Sequence, residues 1–183
     1  GFLPWSDNYG YYNEAQRLLH GFNITSWGAR RPIFPAFLSV VLAITHNNFQ
    51  AVLVILVLLN GLAVYLAARE IQATLKSAIG TAVYIIISFL FYRRFAGTVM
   101  TENFGFLMGN LALVFLLQGA REGEIKKLYW GFFILTIGLN ARAGAFFVLP
   151  AFVIWIIYFL HKKITWWRIF TGTTAVIFLG MAL

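Results

Sequence analysis

Residues 51–68 read AVLVILVLLNGLAVYLAA, with no charged residue and with Asn60 as the one amide in the run. A helix on the surface of a soluble domain keeps a polar face. A run that is apolar all round, and close to the ~17–20 residues needed to cross a bilayer, reads as a membrane span. Working outward, further apolar runs lie at roughly 75–92, 103–119, 128–141, 143–160 and 169–183. The 128–141 run is short and must either borrow Lys127 and its neighbours by snorkelling or sit beside a thin or wet region.

Upstream, residues 32–45, PIFPAFLSVVLAIT, are apolar but too short. At about 1.5 Å per residue they reach roughly 21 Å against a hydrocarbon core of about 30 Å. With two prolines at its start, where a helix tolerates them best, this stretch reads as an interfacial or re-entrant helix. Were it to span, residues 1–31 would fall on the opposite side from Glu102 and Arg142. The expected fold is therefore all-α, a polytopic transmembrane helix bundle. Residues 1–50 form its first outer loop, bearing interfacial helices, and six spanning helices follow over 51–183, all within a single module. The chain starts at Gly1 in a polar aromatic stretch and stops at Leu183 inside an apolar run. A preceding span and a C-terminal remainder are expected, and no cleavable signal pattern opens the sequence.

Composition agrees. The 183 residues are 61% hydrophobic and 11% charged, where a soluble domain carries about 25% charge. The net charge of +8 lies in short breaks between apolar runs, so lipid head groups and membrane orientation account for it and nucleic acid does not. The absence of cysteine excludes disulfides and thiolate metal sites.

The basic residues divide by type. All five lysines (Lys76, Lys126, Lys127, Lys162, Lys163) fall in alternate breaks, together with Arg69, Arg121 and Arg168. The intervening breaks hold arginine alone: Arg17, Arg30, Arg31, Arg93, Arg94 and Arg142. If the lysine breaks face the cytoplasm, the arginines share the other face with Asp7, Glu14 and Glu102. Acids and guanidiniums gathered on that face point to chemistry there.

Four segments supply that chemistry. In SDNYGYYNEAQRLLHG (6–21), Ser6 or Asp7 caps an amphipathic helix whose Tyr11, Ala15, Leu18 and Leu19 share one face. Asp7 reads either as that cap or as a carboxylate held at the membrane surface for catalysis. In GARRPIFP (28–35), Arg30 and Arg31 are either interfacial anchors or a paired fork for phosphate oxygens. In FYRRFAGTVMTEN (91–103), Arg93–Arg94 repeats the pair. Thr101 is expected to cap the next span, with Glu102 in its first turn. In LNARAG (139–144), Arg142 sits between two runs joined almost without a loop. No HExxH, phosphate-binding glycine loop or nucleophile elbow occurs, and His20, His46 and His161 lack metal-ligand spacing.

The order of these motifs resembles the GT-C superfamily of membrane glycosyltransferases. The likeness is to the branch related to dolichyl-phosphate-mannose–protein mannosyltransferases and the aminoarabinose lipid A transferase. It is carried by D-x3-Y-x3-A-x5-G (Asp7, Tyr11, Ala15, Gly21), R-P-x2-P (Arg31, Pro32, Pro35), the Thr101–Glu102 pair, and Arg142 after a Gly-Leu step. The resemblance implies a transferase that moves a sugar from a polyprenyl-phosphate donor to a lipid, glycan or protein acceptor. It also implies an integral protein of a bacterial or archaeal plasma membrane, with its active site on the extracytoplasmic face. Asp7 and Glu102 are then the catalytic acids, and Arg31, Arg93, Arg94 and Arg142 hold the donor phosphate. Tyr11, Glu14 and Arg30 contact substrate. Asn8 stands where some members carry a second acid, so a divalent metal is compatible with the resemblance but not indicated. No nucleic acid is expected as partner.

The rival reading is a lipid or sugar transporter or flippase without transferase chemistry. Such a protein places charged or broken-helix residues near mid-membrane, whereas here the runs contain little beyond Asn60 and Asn110.

Overall fold

The computed structural model describes residues 6–141, 148–160 and 165–182, and the regular elements among them are all helical. They are α1 (Ser6–Leu19), a single 3₁₀ turn (Gly28–Arg30), α2 (Ile33–Ile44), α3 (Phe49–Leu75), α4 (Ala78–Tyr92), α5 (Thr101–Glu122), α6 (Ile125–Asn140), α7 (Val148–Leu160) and α8 (Trp166–Met181). The expected all-α membrane fold is the one found. Arg142, His161, Lys162 and Lys163, and the first part of the 143–160 run, lie outside the described residues.

Helices α3 and α5, at 27 and 22 residues, are long and apolar enough to cross a membrane. The helices α4, α6, α7 and α8 have 15, 16, 13 and 16 residues. At about 1.5 Å per residue these reach roughly 20–24 Å.

Local signals explain the ends. Asn48 caps α3, its Oδ1 accepting from Ala51 N–H at 3.1 Å, and Ser77 caps α4 by accepting from Gly80 N–H at 3.1 Å. Helix α5 stops at Gly123, whose φ of 74° suits glycine, and the N–H groups of Gly123 and Glu124 both return to Gly119 O.

Two expectations are corrected here. Thr101 is the first helical residue of α5 and the cap position belongs to Met100, which has no side-chain acceptor. The Thr101 hydroxyl instead donates to Glu102 Oε2 at 3.3 Å. The inter-helix breaks are also narrower than hydropathy implied. Arg69 and Glu70 continue α3, and Arg121 and Glu122 continue α5. Loss of hydropathy marks where the apolar environment ends, whereas the backbone ladder runs on until a capping geometry stops it.

Helix α3 runs parallel to α5. Leu56 and Phe104 share one core cluster, and a turn-by-turn register later Glu70 of α3 meets Arg121 at 2.9 Å and Gln118 at 2.9 Å. Helix α6 returns antiparallel against α5 at close approach. A Cβ on Gly131 would meet Leu116 at 2.7 Å, and one on Gly119 would meet Leu128 at 2.8 Å. Helix α8 lies beside α6, where the Tyr129 hydroxyl donates to Arg168 O at 2.9 Å. Large apolar side chains face outward from α3 (Val54, Leu58, Leu62) and α4 (Ile79, Ile86, Ile87), the pattern of a lipid-exposed surface.

Helix α2 lies flat along α1. Beside its start, Arg31 donates to the Tyr11 hydroxyl at 3.1 Å, and beyond its end Asn47 bonds Gln16. Its buried face, Phe34, Leu38, Val41 and Leu42, covers the first turns of α3 and α5. Helix α2 is thus packed against α1 and the starts of α3 and α5. Residues 6–31 therefore sit at the same end of the bundle as the start of α5.

Candidate active site

Helix α1 sets the site through its periodicity. Asn8, Tyr11 and Ala15, three and four residues apart, form the buried face, and Leu19 packs against the same core. Tyr11 lies edge-on to Phe34 of α2 at 5.3 Å. This leaves Asp7 exposed in the first turn, where the helix dipole favours a carboxylate.

The loop after α1 folds back over it. The Glu14 carboxylate accepts the Thr25 N–H at 2.9 Å and the Thr25 hydroxyl as well, and Arg17 Nε donates to Asn23 O at 3.1 Å. Gly28 is buried so closely on Glu14 that a Cβ would meet its carboxyl carbon at 2.7 Å. Trp27 then lies over Gly10, where a Cβ would meet the indole at 2.6 Å, and against Tyr11 with ring centroids 5.0 Å apart. The result is a cavity of about 150 Å³ walled by Asp7, Tyr11, Trp27, Arg30 and Arg31. It holds one carboxylate, two guanidiniums and a phenol. Arg31 is half-buried and aimed by its bond to Tyr11, which leaves the rest of its fork for a ligand.

The second segment docks one residue away. Asn8 Oδ1 accepts the N–H of Val99 at 3.1 Å, and Asn103 Nδ2 donates to Thr98 O at 2.8 Å. Glu102 follows in the first turn of α5 and borders a separate groove of about 300 Å³ with Thr101, Phe91, Asn110 and Leu139. Arg93 borders a third, apolar groove of about 420 Å³ with Asn60, Tyr92 and Phe106. Arg94 is exposed.

The structure thus gathers Asp7, Tyr11, Arg30 and Arg31 in one cavity and puts Glu102 and Arg93 on neighbouring grooves. Glu14 is buried and spends its carboxylate on Thr25 rather than on the cavity. Arg142 lies outside the described residues. Sequence reasoning missed Trp27 and the structural use of Asn8. The signal for Asn8 was present, since it stands three residues before Tyr11 on the apolar face. Trp27 carried no periodic signal, because its placement comes from a loop.

Comparison with known proteins follows the geometry. Neither curated proteins nor solved structures yield a match. A family model described as dolichyl-phosphate-mannose-protein mannosyltransferase matches residues 29–183. The match begins beside Arg30 and Arg31 and runs through α2 to the end of α8, so α1 and Asp7 precede it. Proteins of this type are membrane glycosyltransferases of the GT-C class. By this match, which spans most of its length, the chain belongs to the dolichyl-phosphate-mannose-protein mannosyltransferase family.

Proposed function

We propose that this protein moves a sugar from a polyprenyl-phosphate-linked donor to an acceptor hydroxyl or amine at the extracytoplasmic membrane surface. The observation that carries this reading is the cavity in which Asp7 faces Arg30 and Arg31. As the acceptor attacks the anomeric carbon, its proton passes to the Asp7 carboxylate. The new bond to the anomeric carbon forms while the bond from that carbon to the phosphate oxygen breaks, and the electron pair leaves with the lipid phosphate. Arg31, oriented by Tyr11, and Arg30 offset the charge that develops there. Glu102 shapes the acceptor side. Arg93 and Arg94 draw the anionic donor to this end of the bundle, and Arg142 is assigned to the donor phosphate from the sequence alone. Arg93 heads an apolar groove whose walls suit an isoprenoid tail.

The lysine-bearing turns lie at the other end, beside Lys76 and Lys126, which supports the cytoplasmic assignment of that end. The transporter reading gains nothing from the helix interiors. Asn60 and Asn110 each donate to the carbonyl four residues back in their own helix, at 2.8 and 2.7 Å.

The deciding experiment incubates the purified full-length protein in lipid with a polyprenyl-phosphate-linked sugar and a panel of acceptors. Release of free polyprenyl phosphate together with glycosylated acceptor supports the reading. Movement of intact donor across the bilayer without cleavage would replace it with the transporter.

A further inference from the structure

Asn8 adjoins Asp7 in sequence but occupies a different environment. Asp7 is exposed toward the cavity, while Asn8 is fully buried on the face shared by Tyr11 and Ala15. A carboxamide there takes the place of an apolar group and needs a specific partner. Its Oδ1 has one in Val99 N–H, 3.1 Å away and 91 residues along the chain. Its Nδ2 is buried with no acceptor in hydrogen-bond reach among the described residues, so neither of the amide's N–H donors is used. Bulk packing would be served by an apolar side chain; what the amide adds is a directed bond to one backbone N–H.

That N–H is held rigidly. Val99 is fully buried, and the turn before it is fastened to α5 by Asn103 Nδ2 donating to Thr98 O. Asn103 is the neighbour of Glu102. The connection therefore runs from Asp7 through its neighbour Asn8 to Val99, and from Thr98 through Asn103 to its neighbour Glu102, with one hydrogen bond joining the two segments and a second closing the turn ahead of α5. Asp7 needs such an anchor because it stands in the first turn of α1, where backbone hydrogen bonding is incomplete and helices fray.

We infer that Asn8 is a positioning residue whose carboxamide locks the Asp7 turn of α1 to the segment that carries Glu102. This rests on the reading of Asp7 as the base. A base displaced by about 1 Å loses on the order of 100-fold in rate while ground-state binding by other groups persists.

The test uses full-length protein in lipid, with donor turnover measured for Asn8→Ala, Asp7→Asn and the double variant. Asn8→Ala is expected to lower kcat by about 10–100-fold with donor KM changed by less than about threefold. In the Asp7→Asn background the same change is expected to cost less than about threefold, because a positioning residue has nothing left to position. Equal losses in both backgrounds would show a general structural role and overturn the inference, as would a folded Asn8→Ala enzyme with normal kcat. Normal turnover by Asp7→Asn alone overturns both the base assignment and this inference; a large Asp7→Asn loss with additive Asn8→Ala sinks only the latter. If Asn8→Ala fails to insert, Asn8→Ser, which keeps a small polar side chain, is carried through the same cycle with the same outcomes.

Discussion

The carboxylate of Glu14 accepts both the backbone N–H and the hydroxyl of Thr25, eleven residues on, and is buried in doing so. This pair is what turns a polar loop into a wall of the cavity lined by Asp7, Arg30 and Arg31. Removing it with Glu14→Ala should release residues 23–31 and cost about 1.5–3 kcal/mol, the range for hydrogen bonds to a charged group. Hydrogen exchange of the full-length protein checks this: amides near Thr25 should exchange faster while those of α3 and α5 stay protected. Unchanged protection at Thr25 would show that Trp27, the Arg17–Asn23 bond and the Arg31–Tyr11 bond hold the loop without Glu14.

Arg31 and Arg94 occupy different settings, which lets the proposed phosphate clamp be tested against an exposed arginine. Arg31 lines the cavity and bonds Tyr11, whereas Arg94 is exposed. Arg31→Lys should weaken donor use by roughly tenfold or more, because a point charge does not reproduce a planar fork. Arg94→Lys should stay near normal. Kinetics across a donor titration decide it, and equal behaviour of the two variants would remove Arg31 from the phosphate site.

Asp7→Asn should preserve α1, since Asn is as good as Asp near a helix start, and should lower kcat by about 10²–10⁴. Glu102→Gln should cost less, because Glu102 borders a separate groove. A folded Asp7→Asn protein with normal turnover would demote the carboxylate to a helix-end charge.

Because the sequence has no cysteine, single cysteines report topology directly. Tyr9→Cys and Arg94→Cys, both at exposed positions of one bundle end, should react with an impermeant maleimide from the same side of sealed vesicles. Lys76→Cys, at the opposite end, should react from the other side. Labelling of positions 9 and 76 from one side would overturn the orientation.

At the opposite end of the bundle, Glu70 is buried and held by Arg121 and Gln118, while the Glu122–Lys127 pair is far more exposed. Arg121→Ala strands the Glu70 carboxylate and should destabilise by about 1–3 kcal/mol, reduced from a fully buried pair by the exposure of Arg121. Lys127→Ala should leave the unfolding temperature nearly unchanged, because solvent screens that pair. Thermal unfolding in detergent should separate the two clearly.

The apolar runs, the short 32–45 stretch and the division between lysine and arginine breaks are local properties of the chain. They were enough to establish an all-helical membrane protein and to raise the expectation of a short α2 beside a polar, arginine-bearing end, because hydropathy and helical period act within a few turns. The tertiary structure alone decided which of those polar groups meet. It sent Glu14 to Thr25, drew Trp27 over Gly10, and joined Asn8 to Val99 across 91 residues. Such pairings depend on how separate helices pack and on where a loop lands, and no periodicity within one segment encodes the partner supplied by another.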